Sequence, residues 1–188
     1  MALLAPDRRA TASIVRRSAP DRVIDALPLE VAHVLNGGFM DMMLDPSVPG
    51  LVDLDAGTVT LWGTGDEPFN LTTVDDTARF TARLATDPAD VSGVHYLAGA
   101  ETTFNAITEE TERLTGTRLT RNVLGSSADL RRIIDRTDDP WSVVMQWYLL
   151  SMLTVAPFPT TDNDRYPDIH LTGLHDYLAA AHRARHAA

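Results

Sequence analysis

The chain has 188 residues, 44% of them apolar and 22% charged, proportions that exclude wholesale disorder, collagen-like repeats and coiled coils. It contains neither cysteine nor lysine, which removes disulfides, thiolate metal sites, thiol nucleophiles, Schiff bases and a P-loop lysine together. Sixteen basic residues against 26 acidic ones leave a net charge of −10, and this argues against nucleic acid or an anionic membrane as partner, since both need cationic patches.

Met1 to Arg9 places its charges after a very short apolar stretch, the reverse of a secretory signal. Residues 11–26 read as a helix with Ile14, Val23 and Ile24 as apolar contacts and Pro20 as a break. Leu29 to Leu35 is β-branched and apolar between Pro28 and Asn36-Gly37-Gly38, the pattern of a buried parallel strand. A short helix follows over Phe39 to Leu44. Val52 to Leu54 and Thr58 to Trp62 flank Asp55-Ala56-Gly57, a hairpin turn.

After a second turn at Gly63 to Asp66, Phe69 to Thr73 is extended. A helix then starts at Val74-Asp75-Asp76, where carboxylates suit the positive end of the helix dipole. Its apolar face reads as Ala78, Thr81, Leu84 and Ala85, and it stops at Asp87-Pro88. Val94 to Leu97 is a short strand. Thr103 caps a helix carrying Phe104, Ile107, Thr111 and Leu114 on one stripe and ending at Gly116. Arg118 to Val123 alternates as another strand. Ser126 or Ser127 then caps a helix with Leu130, Ile133 and Ile134 inward, and Asp138-Asp139-Pro140 opens an apolar helix from Trp141 to about Val155. A last helix runs from Gly173 to about Arg183. The order specifies an α/β fold with an α+β tendency.

The long apolar run from Trp141 to Phe158 is interrupted by Ser142, Gln146, Ser151 and Thr154. It falls short of the ~20 mainly apolar residues of a bilayer span, so it reads as a buried helix. With no export signal at the start, the expectation is a cytoplasmic protein.

Several stretches in this order resemble the C-terminal, substrate-side part of an NmrA-like (isoflavone-reductase-like) atypical short-chain dehydrogenase. Leu29 to Phe39, with the corner Asn36-Gly37-Gly38-Phe39, resembles the late parallel strand that leads into the substrate region. Trp62-Gly63-Thr64-Gly65 and Val74-Asp75-Asp76-Thr77-Ala78 resemble the family's Gly-x-Gly turn and Val-x-Asp-x-Ala helix start. Tyr166-Pro167-Asp168 before Leu174-His175-Asp176-Tyr177-Leu178 resembles its closing segment.

The resemblance implies a truncated Rossmann-like fold. Residues 1–45 would be a remnant of the dinucleotide-binding domain and residues 46–188 the substrate domain. It also implies NADP chemistry, yet the sequence has no strand followed by Gly-x-x-Gly-x-x-Gly and no lysine for the reductases' helix. The expectation is therefore a chain that binds a small apolar or aromatic molecule, holds no cofactor by itself and has no redox activity of its own. Two alternatives stand beside it: an NAD(P)H-dependent reductase whose N-terminal half is supplied from elsewhere, and a cofactor-free isomerase or cyclase.

The candidate ligand site rests on the helix from Trp141, whose Met and aromatic side chains cover every side. Such a helix is either buried all round or faces a pocket or another chain. As a pocket wall it contributes Met145, Tyr148 and Met152, with Phe39, Met40 and Met43 opposite. His182 and His186, one turn apart, read as a solvated helix end rather than metal ligands. His170 and His175, near Tyr166, Asp168 and Asp176, read as a capped turn rather than an acid–base cluster. The open edge of the strand at Leu29 to Leu35 leads to the expectation of a homo-oligomer or a partner chain covering it.

Overall fold

The computed structural model describes residues 31–44, 51–89 and 91–187. The helix read over residues 11–26, and the boundary between residues 45 and 46, lie outside them.

Strand β1 (Ala32–Asn36) leads through Gly37 into β2 (Gly38–Phe39) and the one-turn helix α1 (Met40–Met43). The hairpin β3 (Val52–Asp53) and β4 (Thr58–Leu61) follows, then β5 (Phe69–Thr72) and helix α2 (Val74–Ala85). Next come β6 (Gly93–Leu97), β7 (Ala100–Thr102), α3 (Phe104–Thr115) and β8 (Thr120–Val123). Helices α4 (Ser127–Ile134), α5 (Pro140–Thr154) and α6 (Leu174–Ala187) complete the chain, with a 3-10 turn at Asn163–Arg165.

Among the described residues the strands form three small sheets. β1 runs parallel to β6, with Ala32 opposite Gly93 and Asn36 opposite Leu97. β5 sits between parallel β2 and antiparallel β7. β4 sits between antiparallel β3 and parallel β8. This is the mixed α/β class that the order of elements specifies. A side chain on Gly37 would collide with the backbone of Asn70, so only glycine lets β1 pass this close to β5.

The helix starts follow their capping residues. Thr73 Oγ1 accepts from the Asp76 N–H at 3.0 Å, and Thr103 Oγ1 from the Ala106 N–H at 3.0 Å. Ser126 and Asp129 form a reciprocal capping box, and Asp139 accepts from the Ser142 N–H at 2.7 Å.

Three helix faces differ from their sequence reading. α2 buries Asp76, Phe80 and Leu84, spaced four apart, while Ala78, Thr81 and Ala85 are exposed. Phe80 is the reason, because its ring packs on Tyr166 at 5.4 Å and outweighs the small alanines. In α4, Leu130 and Ile134 point inward and Ile133 is exposed. The third is α5, of whose apolar residues only Leu150 and Met152 are buried. Among the described residues no helix is long and apolar enough to cross a membrane.

Asp76 has a role that helix capping does not cover. Its carboxylate is wholly buried, pairs with Arg79 and accepts from the Thr172 N–H at 2.8 Å. The tail is thereby fastened to α2. Asp162 and Asn163 add further ties: the Asp162 N–H donates to the Tyr96 carbonyl at 2.7 Å, and Asp162 Oδ2 accepts from the Tyr96 N–H at 2.8 Å.

Two outcomes follow from this packing. Phe80→Ala empties the small core of Phe80, Leu84, Leu97 and Tyr166 and costs about 3–5 kcal/mol in urea denaturation. Glu110, on α3, accepts hydrogen bonds from Arg113 and from His175 at the start of α6, and these hold its carboxyl at about 2, below its ordinary 4.5. Its folded value is lower than its unfolded one, so its stabilisation is complete above pH 4.5 and disappears as pH falls toward 2. Melting wild type and Glu110→Gln side by side shows a difference above pH 4.5 that shrinks across that window.

Candidate functional site

α5 sets residues 145, 148, 149 and 153 on one stripe, the spacing that faces a single side of a helix. Met145, Tyr148, Leu149 and Leu153 form one wall of a cleft of about 320 Å³. Met42 and Met43 of α1, with Leu51, Thr60, Leu61, Trp62, Phe104 and Leu124, complete the lining. No charged side chain lines the cleft among the described residues, although the chain carries 42 charged residues in all. Thr60, Trp62 and Tyr148 are the residues of its lining that carry polar side-chain atoms.

Tyr148 joins the cleft to the glycine corner. Its hydroxyl accepts a hydrogen bond from the Phe39 N–H at 2.8 Å. Burial pushes the hydroxyl pKa upward against the smaller opposing effect of that bond, so the phenol stays protonated at neutral pH. The oxygen's acceptor side is engaged by Phe39, and its proton remains free to donate. A methyl on Gly38 would lie 2.9 Å from this hydroxyl and 3.3 Å from Met43 Sδ. Gly38 therefore lets the corner pass beneath the ring.

The six residues read from the sequence as a pocket occupy three situations. Met43, Met145 and Tyr148 line the cleft together. Phe39 takes part through its backbone N–H. Met40 and Met152 are buried in the main core with Leu44, Leu61, Phe69 and Leu71 and do not line the cleft. Leu61, Trp62, Phe104 and Leu124 were not among the candidates. The alternation of Thr58 to Trp62 marks a strand, but nothing local shows that this strand passes under α5.

The polar tail residues go to separate partners. Tyr166 donates to Asp87 at 2.7 Å, whereas His175 meets Glu110 at 2.6 Å. The His182 and His186 rings stack edge-on at 4.5 Å, and among the described residues no group of three His, Asp or Glu side chains is placed to hold a metal.

No protein-family model and no curated protein matches the sequence. Solved structures do match. An isoflavone reductase superposes with a TM-score of 0.66 at 18% identity, over 91% of this chain and 59% of that one. A structure from work on pinoresinol-lariciresinol and phenylcoumaran benzylic ether reductases gives 0.68 at 17%, over 85% and 55%. Leucoanthocyanidin reductase of Vitis vinifera, in a binary complex with NADPH, gives 0.63 at 13%, over 92% and 60%. The chain thus has the fold of these reductases and spans between about half and three fifths of their length. This is the group of folds that the motif resemblance names.

A pyrophosphate needs a helix N-terminus with open N–H groups beside glycines. Here the starts of α2 to α5 are closed by Thr73, Thr103, Ser126 and Asp139, and Asp41 also accepts from the Val74 N–H at 2.8 Å. Beyond the end of β6, Gly99 is packed against the Thr172 carbonyl, and Asn163 donates to the Ala98 carbonyl at 2.8 Å. The starts of α2 to α5 and the turn after β6 therefore do not fit a nicotinamide dinucleotide.

Tyr148→Phe leaves the Phe39 N–H without its partner and costs about 1–3 kcal/mol. Gly38→Ala displaces the same hydroxyl, so the double variant is less destabilised than the two single losses added, as a denaturation cycle measures.

Proposed function

We propose that this chain binds a small neutral, apolar or aromatic molecule in the cleft beside α5, and that it performs no redox turnover by itself. The observation that carries this reading is a 320 Å³ cleft lined, among the described residues, by uncharged side chains alone. An anion or cation there would lose its hydration without gaining a counter-charge. Met42, Met43 and Met145 suit an irregular apolar shape because their thioether chains adapt to it. The Tyr148 proton supplies a donor for a ligand oxygen, the kind of sparse polar group that orients a ligand in an apolar pocket.

The solved neighbours support the choice of ligand class, since isoflavone and leucoanthocyanidin reductases are so named for aromatic compounds. A second reading, reduction of such a molecule, has the NADPH complex among those neighbours in its favour. It requires a dinucleotide-holding part beyond the described residues. The closed helix starts and the packed Gly99 favour binding alone for the part that is seen.

Nile red, a neutral aromatic dye, brightens on entering the wild-type cleft, and Met145→Asp weakens it at least tenfold with an unchanged melting curve. Equal brightening by the two proteins would contradict the site. NADPH at millimolar concentration leaves the melting temperature of the chain unmoved. A rise would reveal native-state binding and restore the reductase reading.

A further inference from the structure

The chain has six methionines and no cysteine, so its sulfur chemistry falls on thioethers alone. The fold sorts those thioethers into two environments. Met40 is wholly buried and Met152 is 6% exposed, both within the main core. Met42, 49% exposed, lines the cleft together with the half-buried Met43 and Met145. Three of the five methionines among the described residues therefore share one uncharged cleft, and the other two are shut away from it.

We infer that Met42, Met43 and Met145 form a methionine-oxidation site, through which a hydroperoxide lowers the affinity of the cleft for apolar molecules. The inference rests on the ligand-binding reading above and names a control over that same site. The step needs only the peroxide. A sulfur lone pair attacks the peroxide's hydroxyl oxygen, the O–O bond breaks and an S–O bond forms. The proton of the transferred hydroxyl passes to the leaving oxygen, which departs as water or an alcohol. The sulfur has lost two electrons and the peroxide has gained them.

The product is a methionine sulfoxide, a polar group where an adaptable apolar chain stood. An apolar molecule entering the cleft must then strip water from the sulfoxide oxygen without offering it a hydrogen bond, and binding weakens. Met43 has a second effect. One point beside Gly38 lies 3.3 Å from Met43 Sδ and 2.9 Å from the Tyr148 hydroxyl, so sulfur and phenol are neighbours. The Tyr148 oxygen accepts from the Phe39 N–H and has its proton free to donate. A sulfoxide oxygen on Met43 competes with a ligand for that proton.

Millimolar hydrogen peroxide on the folded full chain, followed by peptide mass spectrometry and Nile red titration, tests this. Cleavage before aspartate separates Met40 from the Met42–Met43 pair across Asp41, and fragment ions separate Met145 from Met152. Met42, Met43 and Met145 are expected to gain oxygen at least tenfold faster than Met40 and Met152. Dye affinity falls at least tenfold while the melting curve stays cooperative, and methionine sulfoxide reductase restores it. Met42→Leu/Met43→Leu/Met145→Leu, whatever its starting affinity, keeps that affinity through the same treatment; the single Met43→Leu and Met145→Leu variants replace it should the triple variant fold poorly, each losing less than the wild type. Oxygen spread evenly over the five methionines, or full oxidation at the cleft with unchanged dye affinity, overturns the inference alone. Untreated protein that binds no dye overturns the ligand cleft itself, and this control with it.

Discussion

An apolar helix needs cover around its whole circumference, and α5 is covered on only part of it. Leu150 and Met152 are in the core, while the stripe through Met145 and Tyr148 faces an open cleft and Trp141 faces solvent. The rest of the site follows from that shortfall. The glycine corner supplies a backbone N–H to the Tyr148 hydroxyl of α5, and so ties the helix to β2. Tighter packing there would close the cleft; Gly38 and the Tyr148 hydroxyl keep the two elements bonded without filling the space between them.

The other end of the fold is arranged in the opposite sense. Beyond β6, where open α/β sheets usually place a ligand crevice, the tail fills the space. Asp162 pairs with Tyr96, Asn163 reaches Ala98, and Asp76 holds Thr172 in place. These are backbone–carboxylate and backbone–amide bonds that leave few polar atoms for a ligand. The chain therefore presents a closed, hydrogen-bonded end and an open, apolar one. The open end is the ground for the small neutral guest proposed above.

Much of the architecture was legible because it is coded locally. Thr103, Ser126 and Asp139 announce helix starts by their own side chains, and Asp55-Ala56-Gly57 marks the hairpin between β3 and β4. What could not be read depends on contacts distant along the chain. The buried face of α2 differs from its periodicity because Phe80 finds Tyr166, 86 positions away. α5 was read as buried because its sequence has no polar side, yet periodicity cannot say which neighbours arrive to cover it. In the same way Met40 and Met43 share one helical turn, but one enters the core and the other the cleft. The partition follows from where β4 and Trp62 pass, which no local pattern records.

The methionine methyl groups report this partition directly. The chain has six methionines, and carbon-13 methyl labelling resolves them by NMR during titration with a neutral aromatic compound. The account predicts that the Met43 and Met145 resonances move with saturation while those of Met40 and Met152 stay in place. Shifts confined to Met40 and Met152, or no shift in any of the six, would contradict a ligand cleft beside α5.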